Sequence, residues 1–140
     1  MAHLVRDQGA GGIAIMTEKH IVTTADAPLP SGPYSQAIVA NGFVFVAGQR
    51  PQDPLTARLA EGIKEQTRQC IRNIESILKA SGSSLSSIVN SHVYLSDIAD
   101  FGAMNEVYRE MIPSPFPTRT TVAAQLRGIL VEIEVIALVE

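Results

Sequence analysis

The stretch AIVANGFVFVAG, residues 37 to 48, contains the clearest local signal in the chain. Asn41-Gly42 is a dipeptide that fills a type I′ turn, and it lies between two runs rich in β-branched and aromatic residues. The stretch therefore predicts a β-hairpin. On its N-terminal side, residues 19 to 23 (KHIVT) predict a short strand, and three prolines within residues 25 to 36 (ADAPLPSGPYSQ) predict a stiff loop.

Two amphipathic helices are predicted after the hairpin. Residues 61 to 80 place apolar side chains at spacings of three and four residues, with charged side chains on the opposite face. Gly82 follows at the position where a glycine in the left-handed conformation commonly ends a helix. Residues 98 to 112 show the same apolar spacing. Ser96-Asp97 can cap the start of this helix, and Pro113 follows its end. Each helix is expected to pack through one face.

Three further strands complete the predicted fold. Residues 88 to 95 (IVNSHVYL) are β-branched and aromatic, and residues 119 to 125 (RTTVAAQ) and 130 to 139 (LVEIEVIALV) follow the second helix. The order is therefore strand, hairpin, helix, strand, helix, strand, strand. This order is typical of an α+β domain with two helices on one face of a mixed sheet.

The last strand carries two carboxylates on an apolar face. Alternation places Val131, Ile133, Val135, Ala137 and Val139 on one face, and Leu130, Glu132, Glu134, Ile136 and Leu138 on the other. If the helices cover the first face, the second meets solvent or another subunit, and its Leu and Ile content favours a subunit. Within an interface Glu132 and Glu134 must be paired or functional, because burying a lone charge is costly. The alternative is that they point into a wet rim.

Length and composition limit the classes of function. A chain of 140 residues fits one domain, and its formal net charge of −3, without a run of Lys or Arg, argues against nucleic acid as a partner. The single cysteine, Cys70, cannot form an internal disulfide, and no group of Cys and His has zinc-ligand spacing. We therefore expect a cytoplasmic protein without a metal. The apolar runs are too short to span a bilayer, so no membrane association is expected.

The first residues are predicted to stand apart from the domain. Residues 1 to 15 (MAHLVRDQGAGGIAI) lack the basic start and long apolar centre of a secretory signal, and Gly-Ala-Gly-Gly does not support a helix. We predict a disordered extension over residues 1 to 15 and a single domain over residues 16 to 140. Met16 is an alternative start.

Five short motifs together resemble one known family. SGPYSQAI, FVFVAGQRP, MNEVYREM, FPTRTTV and VEIEVIA occur in an order and at intervals similar to those of the RidA/YjgF reactive-intermediate deaminases, over about residues 17 to 140. The resemblance implies a chorismate-mutase-like fold of the bacillary type, assembled as a homotrimer around a central β-barrel. It also implies active sites between subunits and cofactor-free hydrolysis of small 2-imino or 2-enamino acids to 2-keto acids and ammonia.

The same resemblance implies roles for six residues. Arg119 matches the arginine that binds the substrate carboxylate, and Thr121 matches the residue whose backbone N–H also meets that carboxylate. Glu132 matches the glutamate that handles the attacking water. The tyrosine of GPY, the glycine of GQ and an asparagine early in the second helix are matched by Tyr34, Gly48 and Asn105.

The chemistry of these residue types fits the roles, and simpler interpretations stay open. A guanidinium binds a carboxylate bidentately, but Arg119 could instead form an ordinary ion pair in an interface. A partly buried glutamate such as Glu132 can take a proton from water and return it to a departing amine. Tyr34 could be a packed loop aromatic, Gly48 could serve only as a turn, and Asn105 could solvate the helix.

Three other conspicuous residues receive structural interpretations. Cys70 falls in the apolar pattern of the first helix and is expected to pack rather than react. His92 is expected to be structural. Glu134 is expected to be a structural partner on the trimer face.

The chain departs from familiar family members between Arg119 and the last strand. It has Arg-Thr-Thr-Val-Ala where Arg-Ser-Cys-Val-Glu is common, its segment 124 to 130 is shorter, and Ala47 stands where serine is frequent. These departures concern substrate preference. The first hypothesis is imine hydrolysis, and the second is a non-catalytic trimeric module that binds small keto or amino acids. The third, an endoribonuclease, is disfavoured by the low aromatic content and the lack of basic runs.

Overall fold

The computed structural model of the protein describes residues 2–6 and 13–140, with side chains from residue 18 onward. The strands are β1 (Ala2–Arg6), β2 (Ile13–Thr17), β3 (His20–Val22), β4 (Ala37–Ala40), β5 (Phe43–Gln49), β6 (Ile88–Leu95), β7 (Thr118–Ala123) and β8 (Val131–Leu138). The helices are α1 (Gly62–Ala80) and α2 (Phe101–Met111), with short 3-10 turns at Leu85–Ser87 and Ile98–Asp100.

Strands β3 to β8 form one mixed sheet in the order β3-β4-β5-β8-β6-β7. Neighbouring strands are antiparallel except β6 and β7, which run parallel. Helix α1 packs on β5 and β8, and α2 packs beside α1. The predicted α+β fold, with two helices and a mixed sheet, is confirmed. Within the described residues, no helix has the length and apolar character needed to cross a membrane.

The predicted hairpin and its turn are confirmed. Strand β4 pairs with β5, and the two turn residues both have positive φ, 50° at Asn41 and 81° at Gly42. Positive φ at both central positions is what a type I′ turn requires, and its twist matches that of the flanking strands. The turn thus determines the register of β4 against β5.

The helices follow the predicted apolar spacing, with one difference at the second. In α1 the buried residues include Cys70, Ile74 and Leu78, and Gly82 has a φ of 74° just beyond the helix end. The second helix begins at Phe101 rather than at residue 98. The Asp97 side chain accepts a hydrogen bond from the Ala99 N–H at 2.9 Å, and this cap initiates a 3-10 turn before α2.

The two faces of the main sheet differ as the alternation in β8 predicts. Four residues of the first face are buried under the helices, namely Val131, Ile133, Val135 and Ala137, whereas Val139 lies beyond the strand and is exposed. The second face carries apolar side chains that nothing in the described chain covers. Exposed or half-buried members of this open face are Ile21, Ile38, Phe43, Phe45, Ile136 and Leu138.

The N-terminal segment differs from its prediction where the structure describes it. Strands β1 and β2 pair antiparallel, from Ala2↔Thr17 to Arg6↔Ile13, as a two-stranded sheet separate from the main one. A disordered extension was predicted here, whereas the structure has paired strands over residues 2–6 and 13–17, which apolar and β-branched residues on both sides of the glycines allow. Residues 1 and 7–12 lie outside the described residues, and the domain boundary at residue 16 stays a prediction.

Candidate functional site

The predicted site residues lie on opposite faces of the main sheet. Arg119 of β7 pairs with Ser91 of β6, which is buried under the helices, whereas Glu132 of β8 pairs with Tyr94 of β6, on the open face. Directly paired residues of neighbouring strands share a face, and residues three apart on one strand point to opposite faces. One chain by itself therefore does not bring Arg119 and Glu132 together.

Each of the two residues lines its own cleft. The arginine cleft has a volume of about 290 Å³ and is lined by Asn105, Tyr108, Arg109, Phe116, Pro117 and Arg119. The glutamate cleft has a volume of about 270 Å³ and is lined by Tyr34, Ala47, Gly48, Arg50 and Glu132. The six predicted site residues are thus divided between a helix-side group (Arg119, Asn105, Thr121) and an open-face group (Glu132, Tyr34, Gly48).

Contacts from α2 orient the Arg119 guanidinium. Its Nη1 donates a hydrogen bond to Asn105 Oδ1 at 2.8 Å, and its Cζ lies 4.7 Å from the ring centroid of Tyr108 and 5.4 Å from that of Phe101. No described carboxylate lies within 4.0 Å of this guanidinium. Its other N–H groups therefore remain available to an anion. An ion pair with Glu132 or with the neighbouring Glu134 is absent, since both lie on the opposite face.

The Tyr108 ring under this guanidinium is itself held in place. Its hydroxyl shares a 2.8 Å hydrogen bond with Ser91 Oγ, and only 4 % of the residue is exposed. Burial raises the pKa of Tyr108, so its hydroxyl stays protonated at neutral pH. Arg119 thus rests on an uncharged, immobile ring, which preserves its orientation without neutralising its charge.

Thr121 lies on the helix side together with Arg119. It pairs with the buried Val93, and its Oγ1 is buried without a hydrogen-bond partner among the described residues. The Ala124 N–H donates to the Leu95 carbonyl, and successive N–H groups of a strand point to alternate sides. The Thr121 N–H therefore points away from β6, and β7 is the edge strand there. The role of that N–H in binding a ligand stays a prediction.

In the glutamate cleft, Gly48 allows the close approach of Glu132. A Cβ at position 48 would lie 2.6 Å from Glu132 Oε2 and 3.0 Å from its Cδ, well inside van der Waals contact. A side chain here would push the carboxylate away. Gly48 therefore does more than end a turn, because its missing side chain is what lets the carboxylate lie against the β5 backbone.

Tyr34 lines the same cleft from the Pro-rich loop. A buried glutamine, Gln36, holds that loop: its Oε1 accepts from the Thr24 N–H at 2.7 Å, and its Nε2 lies within hydrogen-bond distance of three loop carbonyls, including that of Pro28 at 2.9 Å. The half-exposed Tyr34 hydroxyl lies 3.3 Å from the Ser31 N. Tyr34 is therefore a loop aromatic presented to a cleft rather than one packed into the core.

Glu134, His92 and Cys70 make contacts typical of structural residues, and the place of Glu134 on a trimer face stays a prediction. Glu134 Oε1 accepts a 2.5 Å hydrogen bond from the Tyr94 hydroxyl and lies 3.3 Å from His92 Nδ1. The hydrogen bond to Glu134 raises the pKa of Tyr94 to about 12. Cys70 is fully buried, and burial raises the pKa of its thiol, so it is packed and unreactive.

Sequence reasoning missed the ring contacts of Arg119 and the cation in the glutamate cleft. Tyr108 lies in the MNEVYREM motif and Arg50 in FVFVAGQRP, so both were within motifs recognised for other residues. Phe101 is 39 % exposed, and its ring also contacts Arg119. The ring contacts of Arg119 depend on the position of α2 over β7.

Comparisons with known proteins show the family of this chain and solved structures of similar fold. Residues 24–139 match the model of the protein family described as Endoribonuclease L-PSP. A RutC family protein of Pyrococcus horikoshii is 48 % identical over 122 residues, covering 85 % of this chain and 97 % of that protein. The 2-iminobutanoate/2-iminopropanoate deaminase of Capra hircus is 42 % identical, with 85 % and 89 % covered. The crystal structure of RidA from an Antarctic Psychrobacter bacterium is similar with a TM-score of 0.82 at 37 % identity, covering 85 % of this chain and 98 % of that chain.

Proposed function

Because the chain belongs to the endoribonuclease L-PSP family, also called the YjgF/RidA family, we propose that it is a hydrolytic deaminase of reactive imines. The substrates are 2-aminoacrylate with its tautomer 2-iminopropanoate, and 2-iminobutanoate. The products are the 2-keto acid and ammonia. The observation that carries the proposal is the oriented Arg119 guanidinium, which has no described carboxylate partner. The deaminase name of the Capra hircus relative supports the reaction.

Substrate binding is proposed to begin at the arginine cleft. Arg119 binds the substrate carboxylate bidentately, while Asn105 keeps the guanidinium oriented. The Thr121 N–H at the free edge of β7 donates a further hydrogen bond to the same carboxylate. These contacts align the C=N carbon of the substrate with the group that activates water.

Hydrolysis is proposed to take place at the glutamate cleft. The Glu132 carboxylate accepts a proton from water as the water oxygen attacks the C=N carbon, and a tetrahedral carbinolamine forms. Glu132 then returns the proton to the nitrogen, the C–N bond breaks as the carbinol hydroxyl gives its proton to the Glu132 carboxylate, and ammonia leaves with the keto acid formed. Tyr34 helps to close the cleft and orient the water. This chemistry requires no cofactor.

The complete site is proposed to form between copies in a homotrimer. Arg119 and Glu132 lie on opposite faces of one sheet, so one substrate molecule can meet both only where two copies meet. The open face favours such an assembly, because Ile21 is 67 % exposed and Phe45 is 45 % exposed in the single chain. Packing three open faces together would bury these side chains in a central barrel. A cytoplasmic location also remains a prediction.

A coupled assay tests the proposed reaction. A dehydratase acting on serine or threonine generates 2-aminoacrylate or 2-iminobutanoate, and keto-acid release is measured with and without the protein. We expect acceleration that is lost in Arg119→Ala and retained in the matched control Arg72→Ala, an exposed arginine of α1. Folding and assembly of each variant are checked by circular dichroism and light scattering.

The outcomes separate the proposed functions. No acceleration from a folded trimer would contradict the deaminase, and retained binding of 2-keto acids would then favour a non-catalytic binding module. A monomer in light scattering would contradict the inter-subunit site. RNA cleavage lost in Arg119→Ala would favour an endoribonuclease, a function that the negative net charge opposes.

A further inference from the structure

The glutamate cleft contains a cation that the proposed hydrolysis does not use. The half-buried Arg50 lines this cleft together with Glu132, Tyr34 and Gly48. It also lines an adjoining side cleft of about 120 Å³, whose remaining lining consists of Pro28, Leu29, Ser31, Tyr34, Gln36, Gly48, Gln49 and Gln52. Since Tyr34, Gly48 and Arg50 are common to both clefts, the two are neighbours, and Arg50 lies where one passes into the other.

Arg50 is held in place by the core of the domain. Asn73 of α1 is 1 % exposed, and its Nδ2 donates to the backbone carbonyls of Arg50 at 3.0 Å and Gln52 at 2.9 Å. At the other end of the side chain, Nη2 donates to the Arg127 carbonyl at 3.3 Å. Backbone and guanidinium are both positioned, so Arg50 is not a freely moving surface arginine.

The charge of Arg50 is not balanced by any described carboxylate. None of the described acidic side chains lies within 4.0 Å of it, and Glu132 in the same cleft is beyond ion-pair distance. Among the residues that line the side cleft, only Arg50 and Tyr34 have ionisable side chains. A chain with 14 acidic and 11 basic residues could readily supply a partner, yet the walls of the side cleft around this positioned guanidinium are neutral. Such a site suits an anionic group of a ligand.

We propose that Arg50 binds a second carboxylate of the substrate, so that this protein prefers 2-imino dicarboxylic acids to 2-imino monocarboxylic acids. The inference rests on the proposed deaminase function. Arg119 of one copy binds the carboxylate next to the C=N carbon, Glu132 of its neighbour activates water, and Arg50 beside Glu132 receives the carboxylate at the far end of the substrate side chain. The reaction is unchanged: 2-iminoglutarate and water give 2-oxoglutarate and ammonia.

The rival explanation is that Arg50 acts through Glu132 as a nearby positive charge. The two explanations differ in their dependence on the substrate. An electrostatic effect on Glu132 changes the hydrolysis of every imine by the same factor. Direct binding of a second carboxylate changes only the hydrolysis of imines that carry one. A comparison of two substrates in each variant therefore distinguishes them.

The experiment measures kcat/KM for 2-iminoglutarate and 2-iminobutanoate. An amino acid oxidase with catalase produces each imine in situ from glutamate or 2-aminobutanoate, and acceleration over spontaneous hydrolysis is followed. Wild type is compared with Arg50→Leu, with Arg50→Lys, which keeps the charge, and with Arg58→Leu, a control at an exposed arginine of the following loop. We expect Arg50→Leu to lower kcat/KM for 2-iminoglutarate about 10- to 100-fold. The value for 2-iminobutanoate, which has no second carboxylate, should change less than about threefold.

Further outcomes are equally decisive. Partial retention of the dicarboxylate preference in Arg50→Lys, with no change in Arg58→Leu, would support binding by charge at this position. A wild type that prefers 2-iminobutanoate, or an Arg50→Leu variant that loses both activities equally, would overturn the inference while leaving the deaminase intact. Failure of wild type to accelerate either reaction would overturn the proposed function itself. If Arg50→Leu does not fold, Arg50→Lys and Arg50→Gln supply the same comparison.

Discussion

The two clefts are built by opposite means. In the arginine cleft, the position of Arg119 depends on attractive contacts, a hydrogen bond that it donates to Asn105 and the rings of Tyr108 and Phe101. In the glutamate cleft, the position of Glu132 depends on space, because Gly48 lacks the Cβ that its carboxylate would meet. A guanidinium that binds an anionic substrate is best held by uncharged side chains, which leave its charge unneutralised. A carboxylate that exchanges a proton with water must not be engaged in strong hydrogen bonds or ion pairs.

The largest expected loss of activity comes from substituting one of the two glutamates of β8 and not the other. Glu132 faces a cleft without a described hydrogen-bond partner, whereas Glu134 accepts from Tyr94 and lies beside His92. We expect Glu132→Gln to lower kcat by about 10²- to 10⁴-fold with little change in keto-acid binding, because an amide cannot take the proton from water. The matched Glu134→Gln should retain most activity. Steady-state kinetics and calorimetry with 2-oxobutanoate measure both, and equal losses in the two variants would contradict the assignment.

Mixing two inactive variants tests whether the clefts of different copies cooperate. Glu132→Gln keeps the arginine cleft and Arg119→Ala keeps the glutamate cleft. If sites form between neighbouring copies, every trimer that contains both variants has both residues intact at one of its three sites. Co-expression with two affinity tags and purification of mixed trimers should therefore restore about a third of wild-type activity. Mixed trimers without activity would place the complete site within one chain, against the opposite faces of Arg119 and Glu132.

Substituting two glycines by alanine measures how much the activity depends on the space that Gly48 leaves for the Glu132 carboxylate. Gly48→Ala would place a methyl group 2.6 Å from the present position of Glu132 Oε2, so the carboxylate must move. We expect kcat to fall about 10- to 100-fold, since small displacements of a reacting group are costly. Gly102 of α2 has open space at its Cβ position and serves as the control. Gly102→Ala should leave kcat unchanged and raise stability by about 0.5–1 kcal/mol; full activity in Gly48→Ala would remove the spatial argument.

The smallest expected effect concerns alkaline stability on the open face. The hydrogen bond to Glu134 raises the pKa of Tyr94 to about 12, above its ordinary value of about 10. The folded state therefore favours the protonated phenol, and the resulting stabilisation is present below about pH 10 and lost as pH rises through 12. Urea denaturation at pH 8 and pH 11 should show a smaller decline in stability for Tyr94→Phe than for wild type. An identical decline would mean that the Tyr94–Glu134 contact contributes nothing measurable.

Much of the candidate site was predictable because its residues fall in short motifs. Arg119, Glu132, Tyr34 and Gly48 are recognisable from their neighbours along the chain, and the periods of two and 3.6 residues place them on particular faces of strands or in loops. The ring contacts of Arg119 were not predictable in this way. They depend on how α2 lies over β7, which is decided by the packing of side chains from several elements. Arg50 follows Gly48 closely in the chain but was overlooked, because the resemblance gives it no role and only the fold shows that it lines the cleft beside Glu132.

The local elements of this protein follow from short stretches of sequence: the type I′ turn through Asn41-Gly42, the apolar stripe of α1, and the alternating faces of β8. These depend on backbone preferences and on the burial of apolar residues, which act between residues close in the chain. The fold, in contrast, places Arg119 and Glu132 on opposite faces, lets Gly48 make room for a carboxylate, and leaves Arg50 between two clefts without a carboxylate partner. Those facts depend on distances between residues far apart in sequence, which sheet order and helix packing establish.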